Sequence, residues 1–114
     1  MVKKSIRKIV HDFCKVMLED GIDFDRIILY GSYAGGKWRE DSDIDVAVVS
    51  KSFGKDRVDE GMQLFRLAGA IDPRLEPIPI SLDSYERDTW IPLIHEIKLN
   101  GVEISFAKSS FKSN

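Results

Sequence analysis

The sequence predicts an α/β domain, a small mixed β-sheet flanked by helices, and three observations lead there. Stretches with apolar residues at helical spacing alternate with short runs rich in β-branched residues. One of those runs carries two prolines, which confines it to a sheet edge. The 114 residues contain no internal repeat and no linker long enough to divide domains, so one domain over 1–114 is expected, with a core of about 6–106 and a polar tail over 107–114.

In chain order, Ile6, Ile9, Val10, Phe13 and Met17 recur at helical spacing between polar residues, and Gly21 offers a stop. Arg26 to Tyr30 (RIILY) is a short apolar run that ends at Gly31, which suits a buried strand and a turn. Ile44 to Val49 (IDVAVV) is a second strand, entered from a polar stretch. Val58, Met62, Phe65, Ala68 and Gly69 then continue a helical stripe over about 57–70, which Asp72-Pro73 terminates. Leu75 to Ile80 (LEPIPI) is the edge strand, because Pro77 and Pro79 remove two amide donors from the same side. Trp90, Leu93, Ile94 and Ile97 give a third helix that ends at Asn100-Gly101, and Val102 to Phe106 form a last short strand.

Composition removes several function classes. A net charge of −2 and a pI near 5.7 give no global attraction to long nucleic acid or an anionic membrane. The lone Cys14 cannot form an internal disulfide and falls among apolar helix positions, as expected of a reduced core residue. The basic start MVKKSIRKIVHDF lacks the apolar run of a signal peptide, and no stretch approaches the roughly 18 apolar residues of a membrane span. A cytoplasmic location is expected. His11 and His95 each lack a second ligand at zinc spacing.

The chemistry concentrates in Tyr30 to Ser50, YGSYAGGKWREDSDIDVAVVS. Asp43 and Asp45 are two apart, so at a strand start their carboxylates share one face and repel unless a cation sits between them. Magnesium takes hard oxygen ligands, keeps waters and completes its shell with phosphate oxygens, which makes an open carboxylate pair a suitable half-site. The upstream Gly31-Ser32 turn, opening a helical turn at Tyr33-Ala34, would aim backbone amides and the Ser32 hydroxyl at phosphate, with Lys37 or Arg39 reaching further negative charge. Two-metal transfer also needs a carboxylate on the acceptor side; Glu76, an ionisable residue in an apolar edge strand, is the candidate, and Asp72 is the fallback. A calcium loop over Asp41, Asp43 and Asp45 is excluded by Val46 and Ser52 at the required glycine and glutamate positions.

Gly31-Ser32, ten residues (33 to 42), then Asp43-Ile44-Asp45 resembles the signature of the minimal nucleotidyltransferases in the DNA polymerase β superfamily, and the order of elements resembles that family over about 6–80. The resemblance implies a polymerase β-like palm core with ATP as substrate and two Mg²⁺ ions on Asp43 and Asp45. It places Gly31 and Ser32 against the triphosphate and Glu76 where the family often has aspartate. Where members often carry Ala-Arg-Gly after the turn, this chain has Ala34-Gly35-Gly36, which leaves Lys37 as the substitute cation. Members of this size are commonly paired with a HEPN-domain protein, and some attach AMP to a tyrosine of that toxin. The function the resemblance implies is therefore nucleotidyl transfer, of AMP from ATP to an acceptor hydroxyl of a HEPN partner; the alternative is a non-catalytic nucleotide-binding module that neutralises a partner by contact.

Overall fold

A computed structural model gives the structure of the chain and describes residues 2–107; the rest of the expected polar tail, 108–114, lies outside the described residues. The chain runs α1 (Lys4–Glu19), β1 (Arg26–Tyr30), α2 (Ser32–Gly35), β2 (Ile44–Ser50), α3 (Arg57–Ile71), β3 (Leu75–Ser81), α4 (Leu82–Arg87), α5 (Pro92–Asn100) and β4 (Val102–Glu103). The sheet order is β3-β2-β1-β4, with β1 antiparallel to both β2 and β4 and β2 parallel to β3. The expected mixed sheet is therefore present. Its one parallel pair is joined through α3, since parallel neighbours cannot be linked by a hairpin.

Local chemistry sets the boundaries. α1 ends in a Schellman motif: Gly21 takes φ 83°, and the N–H groups of Gly21 and Ile22 donate to the carbonyls of Leu18 and Met17. α3 starts where the Asp56 side chain accepts the Asp59 amide at 3.0 Å, and stops at an extended Asp72 before Pro73. Just before β3 the Arg74 carbonyl accepts the Ile44 amide at 2.7 Å, so the even-numbered residues that follow turn their backbone groups toward β2. Pro77 and Pro79 consequently face outward, where a missing N–H costs the ladder nothing.

The period-two alternation divides the sheet into two buried faces. Ile27, Leu29, Ile44, Val46, Val48 and Leu75 join Ile6, Val10, Phe13, Cys14 and Met17 of α1 and Leu64 and Ala68 of α3. On the other face Ile28, Ala47, Val49 and Ile80 meet Ile94 and Ile97 of α5, with Leu82 and Tyr85 of α4 packed alongside. Among the described residues no helix is long and apolar enough to cross a membrane.

Four expectations need correction. α4 was not foreseen; Ser81 caps it by accepting the Ser84 amide at 3.1 Å. The third expected helix begins at Pro92, leaving Trp90 outside it and 77% exposed. The last strand covers only Val102–Glu103, which pair with Leu29 and Ile28, and one further bond runs from the Ile104 amide to the Ile27 carbonyl at 2.8 Å. The α3 stripe divides: Ala68 is buried beside Leu64, whereas Val58, Met62 and Phe65 are 74%, 67% and 61% exposed. α3 has apolar residues on two sides, and periodicity alone does not select the inner one.

Candidate active site

Sheet register assembles the carboxylates. Tyr30 of β1 pairs with Asp45 of β2, and Asp45 pairs with Glu76 of β3, so three residues from three strands form one row on the α4–α5 face. Asp43 precedes Asp45 by two residues at the entrance to β2. Asp43 and Glu76 are exposed and Asp45 is half-buried. The two expected aspartates and the expected third carboxylate are thus brought to one end of one face.

Their electrostatics agree with that placement. Burial raises the Asp45 carboxyl above its ordinary value, and the negative charges of Asp43 and Glu76 raise it further. Burial likewise pushes the neighbouring Tyr30 phenol up to about 12, with Asp45 and Glu76 adding to the shift. This is an anionic cluster that a cation would relieve. The donors are hard oxygens on an open face and suit Mg²⁺, yet among the described residues no three His, Cys, Asp or Glu side chains close into a ready-made cage. The fit is to an ion that keeps waters and draws remaining ligands from a substrate.

The turn after β1 explains why position 31 is glycine. Gly31 adopts φ 73° and ψ −148°, and a Cβ there would collide with Asp45 Oδ2 and stand 3.2 Å from its Cγ. The backbone of the turn therefore lies directly against the central carboxylate. The Gly31 carbonyl accepts the amides of Ala34 and Gly35 at 3.2 and 3.1 Å, which closes α2 and leaves the amides at its start without an intrahelical acceptor. Ser32, half-buried, opens that turn, and its carbonyl accepts the Lys37 amide at 3.1 Å. The Lys37 side chain is exposed and makes no ion pair among the described residues.

Trp38, Tyr33 and Arg74 complete the surroundings. Trp38 stacks on Tyr33 with ring centroids 5.7 Å apart and 11° between planes, and Lys3 Nζ lies 4.1 Å from the Trp38 centroid. Arg74 donates from Nε and Nη2 to the two Asp72 oxygens at 3.1 and 2.9 Å, and from Nη1 to the Tyr33 hydroxyl at 3.2 Å and the Glu40 carbonyl at 3.0 Å. Asp72 is therefore engaged by Arg74, whose hydrogen bonds hold its carboxyl below the usual value, and Glu76 is the third member of the cluster. Sequence reasoning did not single out Arg74; its only signal was an arginine two residues from Asp72 at the mouth of a strand.

A cavity of about 590 Å³ runs along β3 beyond this row, bounded by Ile78, Ile80, Val58, Arg57, Ile91 and Ile94. It does not contain the aspartates, but Ile78 is two residues from Glu76 on the same face.

Comparison with known proteins shows the family. The sequence profile of the family described as "Polymerase beta, Nucleotidyltransferase" matches residues 14–109. The chain is 35% identical to the "Putative protein adenylyltransferase MJ1305" of Methanocaldococcus jannaschii, over 100% of this chain and 80% of that protein. Its fold is shared with a solved toxin–antitoxin complex with AMP-PNP, at a TM-score of 0.62 and 20% identity over 92% of this chain and 77% of the other. It is also shared with a chain of the complex between a tri-AMPylated Shewanella oneidensis HEPN toxin and an MNT antitoxin, at a TM-score of 0.56 and 21% identity over 91% and 76% of the two chains. With the glycine turn laid against a carboxylate row and a profile that matches most of its length, the chain belongs to the polymerase β nucleotidyltransferase family.

Proposed function

We propose that this nucleotidyltransferase is a protein adenylyltransferase that moves AMP from ATP to a hydroxyl of a partner protein, a tyrosine of a HEPN-domain partner. The observation that carries this reading is the Asp45–Glu76 pairing in register, with Asp43 one strand period away and Gly31 packed on Asp45. The M. jannaschii relative named for protein adenylylation and the AMP-PNP and tri-AMPylated HEPN complexes support the donor and the acceptor class.

Each residue has a role that follows from its place. The first amides of α2 and the Ser32 hydroxyl hold phosphate oxygens, and the exposed Lys37 ammonium meets the outer phosphates. Asp43 and Asp45 would hold Mg²⁺, with Glu76 on the acceptor side; the ions, two by family resemblance, neutralise triphosphate charge when bound. Glu76 accepts the proton of the acceptor hydroxyl as its oxygen attacks the α-phosphorus. The new O–P bond forms in line as the bond from the α-phosphorus to the pyrophosphate oxygen breaks, and pyrophosphate leaves with that electron pair. The sheet supplies rigidity and the carboxylates supply position.

The test is transfer of label from α-³²P-ATP with Mg²⁺ to a HEPN-domain protein co-purifying with the chain, wild type against Asp43→Ala/Asp45→Ala. Label on a tyrosine that falls by about a thousandfold in the double variant is expected. A wild-type chain that binds the partner and nucleotide yet transfers no label would overturn the reading.

A further inference from the structure

Between α2 and β2 the chain crosses Gly36 to Asp43, a polar segment with no regular structure that starts from a left-handed Gly36 at φ 78°. Trp38, stacked on Tyr33 and packed against the core, holds the first part of this segment, but residues 39–43 are all polar and must still deliver Asp43 to within reach of Asp45. We propose that Arg74 is the positioning residue that sets Asp43, by anchoring the chain on both sides of it and tying both anchors to the Gly-Ser turn.

The geometry brackets the aspartate. After Asp43, the Ile44 amide donates to the Arg74 carbonyl at 2.7 Å; before it, the Glu40 carbonyl accepts from Arg74 Nη1 at 3.0 Å. Main chain and side chain of one residue thus hold the two flanks of Asp43. Around the upstream anchor, the Arg39 amide donates to Ser42 Oγ at 2.7 Å and the Ser42 amide to the Arg39 carbonyl at 3.0 Å, closing a tight turn just before Asp43. Arg74 Nη1 also donates to the Tyr33 hydroxyl, which donates in turn to the Arg39 carbonyl at 2.9 Å. Tyr33 follows Ser32 in α2, so one guanidinium links the phosphate turn, the loop and the start of β3.

Asp72 makes this arrangement directional. Its two oxygens take Nε and Nη2 in a fork, which fixes the guanidinium plane and leaves Nη1 aimed at Tyr33 and Glu40. An ammonium has the charge but not the fork; from one nitrogen it cannot serve Asp72 twice and still reach both loop partners. Arg74 touches none of the site carboxylates in this arrangement, so its effect on them passes through the backbone of residues 40–44. Only the consequence for nucleotide rests on the proposed function; the positioning of Asp43 does not.

Hydrogen exchange of the loop amides and AMP-PNP titration, for wild type, Arg74→Lys, Arg74→Ala and Tyr33→Phe, test the assignment. In Arg74→Lys, the hydrogen-bonded amides of Arg39, Ser42 and Ile44 should exchange about tenfold faster with α1 and α3 unchanged, and AMP-PNP should bind about tenfold more weakly with Mg²⁺ but unchanged in EDTA. Tyr33→Phe should show a smaller loss of the same kind. Wild-type loop protection in a folded Arg74→Lys protein overturns the proposal, as does a binding loss of equal size with and without metal. If Arg74→Ala does not fold, the lysine and phenylalanine variants carry the decision. If the wild type binds no Mg²⁺·AMP-PNP, the adenylyl-transfer reading falls and loop exchange alone decides the role of Arg74.

Discussion

On one side of β2, Ile44, Val46 and Val48 are sealed from solvent beneath α1 and α3, while on the other Asp45 stands half-exposed at the end of a row that Ala47 and Val49 continue beneath α4 and α5. The two sides share one backbone and differ by a single residue of register. The sealed side supplies the free energy that holds the strand, and the open end uses the resulting rigidity to keep like charges together at a cost the core can absorb. A site built on strands is more precise than one built on loops, and here Asp45 and Glu76 have that support while Asp43 takes its position from the loop.

Breaking the sealed side should give the largest change in stability. Leu29→Ala removes a fully buried side chain that faces α1 and α3, and should cost about 3 kcal/mol in urea unfolding. Label transfer per folded molecule should stay within about twofold of wild type, because the carboxylate row is on the other face. A large loss of transfer at full folding would show that the two faces are not separable in the way the register suggests.

Breaking the open end should reverse the balance. Gly31→Ala places a methyl against Asp45 and asks for a left-handed φ, so the turn and the carboxylate must separate. Transfer should fall about a hundredfold, while stability falls by only about 1–2 kcal/mol. Unchanged transfer would mean that close approach of the turn to Asp45 is incidental to chemistry.

The same contrast explains what the sequence could show. The Gly31-Ser32 turn, its spacing to Asp43 and Asp45, and the two-proline edge strand carrying Glu76 are local patterns whose geometry follows from strand period and proline chemistry, so they were legible. The Arg74 clamp closes between residues 41 and 34 positions apart, at Tyr33 and Glu40, and no periodicity encodes it. Val58, Met62 and Phe65 satisfy a helical pattern as well as Leu64 and Ala68 do; which side is buried is decided by α1 and the sheet. α4 was readable in principle from Ser81 and Asp83, a cap with acid in the first turn, but it is only six residues long and lies directly after a strand.

The smallest effect separates two aspartates by the sign of their pH dependence. Arg74 holds Asp72 below its ordinary value, so its contribution to stability is fully present above the unfolded-state value of about 4 and is lost as pH falls through the depressed folded value. Burial and two neighbouring carboxylates raise Asp45, so the folded state binds the proton more tightly than the unfolded state there. Stability is then lost as pH rises from about 4 through the raised folded value. In EDTA, wild type should therefore melt above Asp72→Asn at neutral pH and lose that margin in acid, whereas it should melt below Asp45→Asn at neutral pH and close that gap in acid. Thermal melts from pH 3 to 8, a window chosen to span the ordinary carboxylate range of about 4, read both differences directly. Two differences of the same sign would mean that Asp45 gains a partner in the fold rather than enduring its neighbours, and the carboxylate row would then have to be read as a structural network instead of like charges held together by the sheet.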